Sequence, residues 1–149
     1  MEQLFNDLQA QILTKMGDAV SLVDEDYGQL ESGNNGETTY PVSFPCVLIG
    51  VPETEWSDLN AEVQQGKTTL TIRMAFDCNE DSHEQGEGAL DAAGRMRMAE
   101  QLHRCLHGWL FKECATTMLR RASRQFSIPG GIKVYETQYR TTIVEKGEN

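Results

Sequence analysis

Between Thr68 and Cys78 the chain reads TTLTIRMAFDC, and from Thr69 onward large apolar side chains fall on every second residue. Leu70, Ile72, Met74, Phe76 and Cys78 fall on one parity; Thr69, Thr71, Arg73, Ala75 and Asp77 fall on the other. Successive side chains of an extended chain point to opposite faces, so this period of two predicts a strand with one buried face. A lone strand is not stable in water. It needs neighbours in a sheet and a second layer over its apolar face.

Two segments carry the helical period that such a layer requires. From Glu2 to Met16, the residues Leu4, Phe5, Leu8, Ile12 and Met16 recur at three- and four-residue steps, and Gly17 follows as a stop signal. From about Ala89 the period returns. Met98, Leu102, Cys105, Leu106 and Trp109 form an apolar stripe, with Arg97, Glu100, Arg104 and His107 away from it. This pattern predicts a helix to about Phe111, the longest in the chain.

Further strands are legible with more ambiguity. The short run AVSLV, residues 19–23, is a strand candidate. The most apolar stretch, YPVSFPCVLIG from Tyr40 to Gly50, contains Pro41 and Pro45. Proline cannot donate to a sheet ladder, and the residue before it favours extended backbone. The regular strand is therefore expected from about Cys46, with Pro45 at its first position and Tyr40 to Phe44 as an extended lead-in. Cys46, Val47, Leu48 and Ile49 are apolar on both sides. Their second face is expected to meet the N-terminal helix or a neighbouring subunit. VPETEWSDLNAEVQQG, residues 51–66, reads as a long acidic connection. The polar, glycine-rich stretches near 27–39 and 79–88 read as mobile loops.

The last third predicts a hairpin. Thr117 to Ile128 places Met118, Ala122, Phe126 and Ile128 on one parity, IPGGI supplies a turn, and a second strand follows from Ile132. In that strand the apolar parity switches near Tyr135, from Ile132 and Val134 to Tyr135, Tyr139 and Ile143. Such a switch signals a bulge or a strand apolar on both sides. Helix, strands, helix, hairpin is an α+β order: a mainly antiparallel sheet packed against one long helix plus an N-terminal helix. The 149 residues fit one domain spanning 1–149. No run of 18 apolar residues is present, so no membrane span is expected. The N-terminus lacks the apolar core of a secretory signal.

The chemistry-bearing residues are sparse. Four cysteines, Cys46, Cys78, Cys105 and Cys114, form no Cys-x-x-Cys pair, and reduced, mostly buried thiols inside a cell are expected. Asp77-x-Asn79-x-Asp81 opens like a calcium loop, but Ser82 and Gly88 stand where that loop needs Gly and Glu. Glu100, His103 and His107 have helical spacing that could gather three metal ligands, which makes a metal-dependent enzyme the alternative reading. However, the site would be open to solvent. There is no nucleophile elbow and no phosphate-binding glycine loop. No catalytic residue, cofactor site or metal site is expected, and the chain is read as a non-enzyme.

The formal net charge is −10, and it is unevenly spread. Through Gly94 there are 3 Lys and Arg against 18 Asp and Glu, which is −15; from Arg95 onward 10 stand against 5, which is +5. The acidity argues against a specific nucleic-acid partner. The asymmetry fits either a head-to-tail contact between copies or two faces that are simply solvated, and a small adaptor whose acidic loops bind a basic partner is a further reading of the chain. Arg120, Arg121 and Arg124 form the basic cluster and are the candidate subunit-interface residues.

The order of these segments resembles the tail-terminator and tail-completion proteins of long-tailed bacteriophages, over roughly Glu2 to Val144. The elements that carry it are the amphipathic N-terminal helix, FPCVLIG, TTLTIRMAF, the helix ending LHRCLHGW, and the hairpin of MLRRASRQF and KVYETQYRTTI. The resemblance is one of pattern and order. It implies a small α+β protein that assembles into a ring, expected to be a hexamer, which caps the tail tube and joins it to the head. Its partners would be itself, the tail-tube protein and the head-completion protein. It would reside in the virion, and in the bacterial host cytoplasm during assembly. The 51–66 connection is a departure from the pattern.

Overall fold

The structure is a computed structural model, and it describes residues 2–31, 40–81 and 91–147. Helix α1 (Glu2–Met16) forms where its periodicity predicts, with Leu4, Leu8, Ile12 and Met16 buried along one side. Gly17, at φ 57°, ends it in a left-handed conformation suited to glycine. One 3-10 turn leads to strand β1 (Leu22–Glu25), which begins three residues later than the AVSLV run suggests. Strand β2 (Cys46–Ile49) starts at Cys46 as the proline reading expects, with Pro45 just before the strand rather than at its first position, and the Phe44–Pro45 bond is cis. β3 (Glu53–Asp58), β4 (Val63–Asp77), the short α2 (Cys78–Asp81), α3 (Ala92–Leu106), β5 (Leu119–Ile128) and β6 (Ile132–Lys146) follow.

The strands form one mixed sheet in the order β1-β2-β4-β6-β5, with β3 also paired to β4. β4 and β6 are its spine. They pair antiparallel without interruption from Val63↔Lys146 to Asp77↔Ile132. The other edge of β4 is shared end to end: β3 takes Gln64 to Thr69, and β2 takes Ile72 to Ala75. β1 then adds parallel to β2.

Residues 51–66 are therefore not the connection their sequence suggests but most of a β-hairpin. Apart from Trp56 and Val63 its strands are polar, and β3 is almost wholly exposed, so the alternation that reveals β4 is absent. Backbone pairing holds the hairpin instead, aided by Thr54 and Thr68, whose hydroxyls lie 3.0 Å apart. At its turn, Asn60 Oδ1 accepts from the amides of Glu62 and Val63. The Trp56 ring lies over Gly66, so closely that a Cβ at Gly66 would stand 2.8 Å from it.

Helix α3 also departs from expectation. Asp91 caps it by accepting from the Gly94 amide at 2.7 Å, which satisfies one orphan N–H of the first turn. It ends at Leu106 rather than near Phe111, and it matches α1 in length at 15 residues. Gly108, at φ 82°, turns the chain away and donates to Met118 O. Trp109 fits the helical stripe only by spacing; it lies past the helix and is 43% exposed.

Both helices cover one face of the sheet. Val47, Ile49, Leu70, Ile72, Met74 and Phe76 meet α1 and α3 there in the main core. Leu4, Leu8 and Ile12 are fully buried, and each such side chain contributes about 1.5–3 kcal/mol. The opposite face carries a smaller cluster: Cys46 and Leu48 of β2, Ala75, Ile132 and Val134, under Leu30 and Tyr40. The second face of β2 thus packs against residues of this chain other than α1. The chain's own lead-in covers it, and Tyr40 to Phe44 is folded back rather than extended. The Val42 amide bonds Tyr40 O, and the Tyr40 hydroxyl reaches Pro129 O at 2.6 Å.

In β6, Ile132 and Val134 serve this second cluster while Tyr135, Tyr139 and Ile143 serve the main core. The parity switch reflects a strand apolar on both sides. The irregularity sits in β5 instead, where the register slips between Arg120 and Ala122. Of the two expected loops, residues 32–39 and 82–90 lie outside the described residues. The described part of the first holds Gln29 and Leu30 buried in a turn, with the Gln29 amide donating to Glu25 O.

Candidate functional site

The slip in β5 divides the arginine cluster. Arg120 pairs across from Tyr139 and looks toward α3; its amide donates to His107 Nδ1 at 3.0 Å. Arg121 occupies the bulge and is exposed. Arg124 lies on the opposite face, where its guanidinium grips Glu136 through two contacts, Nε to Oε1 at 3.2 Å and Nη2 to Oε2 at 3.0 Å. That guanidinium also stacks over the Phe126 ring at 4.7 Å. The three residues share a strand, not a surface.

Glu136 is the residue that sequence reading missed. Its carboxylate is nearly buried and also receives Arg73 Nε at 3.3 Å. Arg73 in turn reaches Glu31 at 2.8 Å and Asp26 at 3.5 Å. Burial would lower the Arg73 pKa, but the Glu31 hydrogen bond and the charges of Asp26 and Glu136 outweigh it and hold it above its ordinary value. The available signal was a charge at a potentially inward position on two adjacent strands, Arg73 in β4 and Glu136 in β6.

Between α3 and the β5–β6 pair runs an open groove of about 510 Å³, lined by Met96, His103, Arg120, Gln125, Tyr135 and Thr137 among others. His103 Nδ1 shares a hydrogen bond with the Tyr139 hydroxyl at 2.9 Å. Partial burial, with Arg120 and His107 nearby, lowers the His103 pKa, so its ring is neutral near pH 7. Burial pushes the Tyr139 pKa up.

The Glu100, His103 and His107 alternative gains little from the geometry. The two rings sit 4.9 Å apart, but each Nδ1 is already engaged and Glu100 faces Arg104 at 3.8 Å. No group of three or more His, Cys, Asp or Glu suited to a metal comes together among the described residues. In the calcium-like motif, Asp77 Oδ1 accepts from the Asn79 amide, and Asn79 donates to Gly130 O at 2.6 Å. These contacts brace the β5–β6 turn; Ser82 and Gly88 lie outside the described residues. All four cysteines are free. Burial pushes the Cys46 thiol up to about 12 and raises Cys105 and Cys114 as well, opposite to the shift of a reactive thiol.

No protein-family model and no curated protein sequence matches the chain. The fold, however, has a counterpart. It matches a chain of a solved structure described as "Virion of native gene transfer agent (GTA) particle", with a TM-score of 0.63, 10% identity and 96% of each chain covered. The likeness is one of fold over nearly the full length.

What the described surface offers beyond the groove is edges and apolar side chains. Trp109, Leu110 and Leu119 are exposed where α3 hands over to β5, and Lys15 Nζ lies 5.3 Å from the Trp109 ring. Trp56 in β3 and Val51 and Leu59 just outside its two ends are exposed. No described helix is long and apolar enough to cross a membrane.

Proposed function

We propose that the chain is a structural component of a phage-like virion, of the tail-terminator type: a ring subunit, hexameric as the resemblance implies, that caps the tail tube and joins it to the head. The observation that carries this reading is the shared fold with a virion chain, over 96% of both chains. The sequence pattern points the same way independently. The surface is consistent with assembly, because it exposes Trp56, Trp109, Arg120 and Arg121, and tryptophan and arginine are enriched at protein interfaces. The partners would be further copies, the tail-tube protein and the head-completion protein, with assembly in the bacterial host cytoplasm and residence in the virion. Arg120, Arg121 and Arg124 remain interface candidates, although only Arg120 and Arg121 lack an ion pair among the described residues.

The test is microscopy. Purified protein, alone and mixed with isolated tail tubes, is imaged by negative stain and run in a sedimentation experiment. Rings, or caps on tube ends, are expected. Monomers under both conditions, with bare tubes, would remove the reading.

A further inference from the structure

β3 and β5 lie on opposite sides of the β4–β6 spine, and no described strand pairs with the outer edge of either. Both are almost wholly exposed. An open strand edge is a row of unpaired N–H and C=O groups that can template pairing with another chain. Proteins commonly guard such edges with charge, and a guard works best when every edge carries the same sign, because all copies then repel. Here the signs are opposite. β3, ETEWSD, holds Glu53, Glu55 and Asp58 and no basic residue; β5, LRRASRQFSI, holds Arg120, Arg121 and Arg124 and no acidic one. Glu53, Glu55, Arg120 and Arg121 make no ion pair among the described residues.

We infer that the β5 edge of one copy docks against the β3 edge of the next. This rests on the ring reading above and gives that ring its contact. β1 is also an edge strand, but the Gln9 and Gln29 side chains already donate to its Val23 and Glu25 carbonyls, which leaves three pairings between the open β3 and β5 edges of two copies. β3 on β3 sets acid against acid, and β5 on β5 sets base against base. Only β3 on β5 joins unlike charges. It is also the heterologous pairing, the kind that propagates head to tail and closes into a ring. The apolar surface agrees in position. Of the ten large apolar side chains exposed among the described residues, Val51, Trp56 and Leu59 lie along or beside β3, and Trp109, Leu110 and Leu119 lie at the start of β5. The edges are also staggered: β5 pairs with β6 from Ile132 to Arg140, whereas β3 lies at the other end of the spine, where β4 meets Arg140 to Glu145. A sheet extended through staggered edges has tilted strands, which is the geometry of closure.

The test is a charge swap, read by sedimentation and negative stain, with circular dichroism and melting to verify folding. Arg120→Glu with Arg121→Glu makes both edges acidic, and Glu53→Arg with Glu55→Arg makes both basic. Each double variant alone is expected to stay monomeric where the wild-type chain assembles. Assembly should return when the two variants are mixed, and also when all four changes are placed in one chain, because each contact then pairs unlike charges again. Folded variants that assemble as well as wild type, or a mixture that fails to recover, would overturn the edge pairing. In the first case wild-type rings would still stand, leaving the virion role intact with a different contact. A wild-type chain monomeric at every attainable concentration, with and without tail tubes, would overturn both.

Discussion

Glu136 concentrates much of the polar organisation of the face opposite the helices in one carboxylate. It accepts from Arg124 and Arg73 at once, and Arg73 is further held by Glu31 and Asp26. The members differ in exposure: the Glu136 side chain is 9% exposed and that of Arg124 is 65%. Removing the buried centre should therefore cost more than removing the solvated arm. Glu136→Gln is expected to lower stability by about 1–3 kcal/mol, since it removes the charge from hydrogen bonds to two guanidiniums. Arg124→Ala should cost less than about 1 kcal/mol. Urea denaturation of both variants checks the ordering. His103 gives a second residue-scale expectation, this one in pH. Its folded-state pKa is depressed from 6.5, by burial first and then by Arg120 and His107, against the opposing pull of Glu100. The unfolded chain therefore binds the proton more readily. The His103 contribution is fully present above about pH 6.5 and is lost as pH falls through the lower folded value. The urea midpoint should drop between neutral and mildly acidic pH, and His103→Gln should flatten that part of the profile. An unchanged slope would mean that other groups control it.

At the scale of elements, the junction of β2 and β3 is the sharpest constraint. Gly50 sits where the chain leaves β2 for β3 along the same edge of β4, and a Cβ there would stand 2.7 Å from the Thr71 carbonyl oxygen. That neighbour is backbone in the spine and cannot swing aside. Gly50→Ala should cost about 1–3 kcal/mol by forced displacement. Gly17→Ala is the useful contrast, because it meets no steric neighbour and is strained only through its positive φ. Much of the fold was legible wherever apolar residues mark a buried face: α1 and the core half of β4 print their period, and β6 prints two apolar parities, one for each cluster. β3 printed none, because Trp56 is its one apolar residue and its order comes from backbone pairing with β4. The end of α3 was misread because spacing alone cannot distinguish Trp109 on a stripe from Trp109 beyond a glycine turn. The arginine cluster was legible as composition, but a one-residue slip at Arg121 sends Arg120 and Arg124 to different faces. The Arg73 network was hidden by separation, since its hydrogen bonds to Glu31 and Glu136 span 42 and 63 residues.

On the scale of the whole molecule, charge works in two directions. The chain carries a net −10, so two copies approaching at random repel. The sequence halves, −15 and +5, map onto structure: β1, β2 and β3 lie on one side of the β4–β6 spine, and α3, β5 and β6 come from the basic half. Opposed edges therefore attract while the molecules as a whole repel, and added salt acts on both. The Debye length is about 10 Å at 0.1 M and about 3 Å at 1 M, so raising sodium chloride across that range screens both terms. If self-association runs through the β3 and β5 edges, losing the attraction between close unlike charges dominates, and assembly should weaken as salt rises. If it runs through the exposed tryptophans and leucines alone, losing the general repulsion dominates, and assembly should strengthen. Sedimentation of the wild-type chain over a sodium chloride series reads the sign directly. The two double variants, with both edges alike in charge, should lose the downward trend, since screening can then only relieve repulsion between their edges.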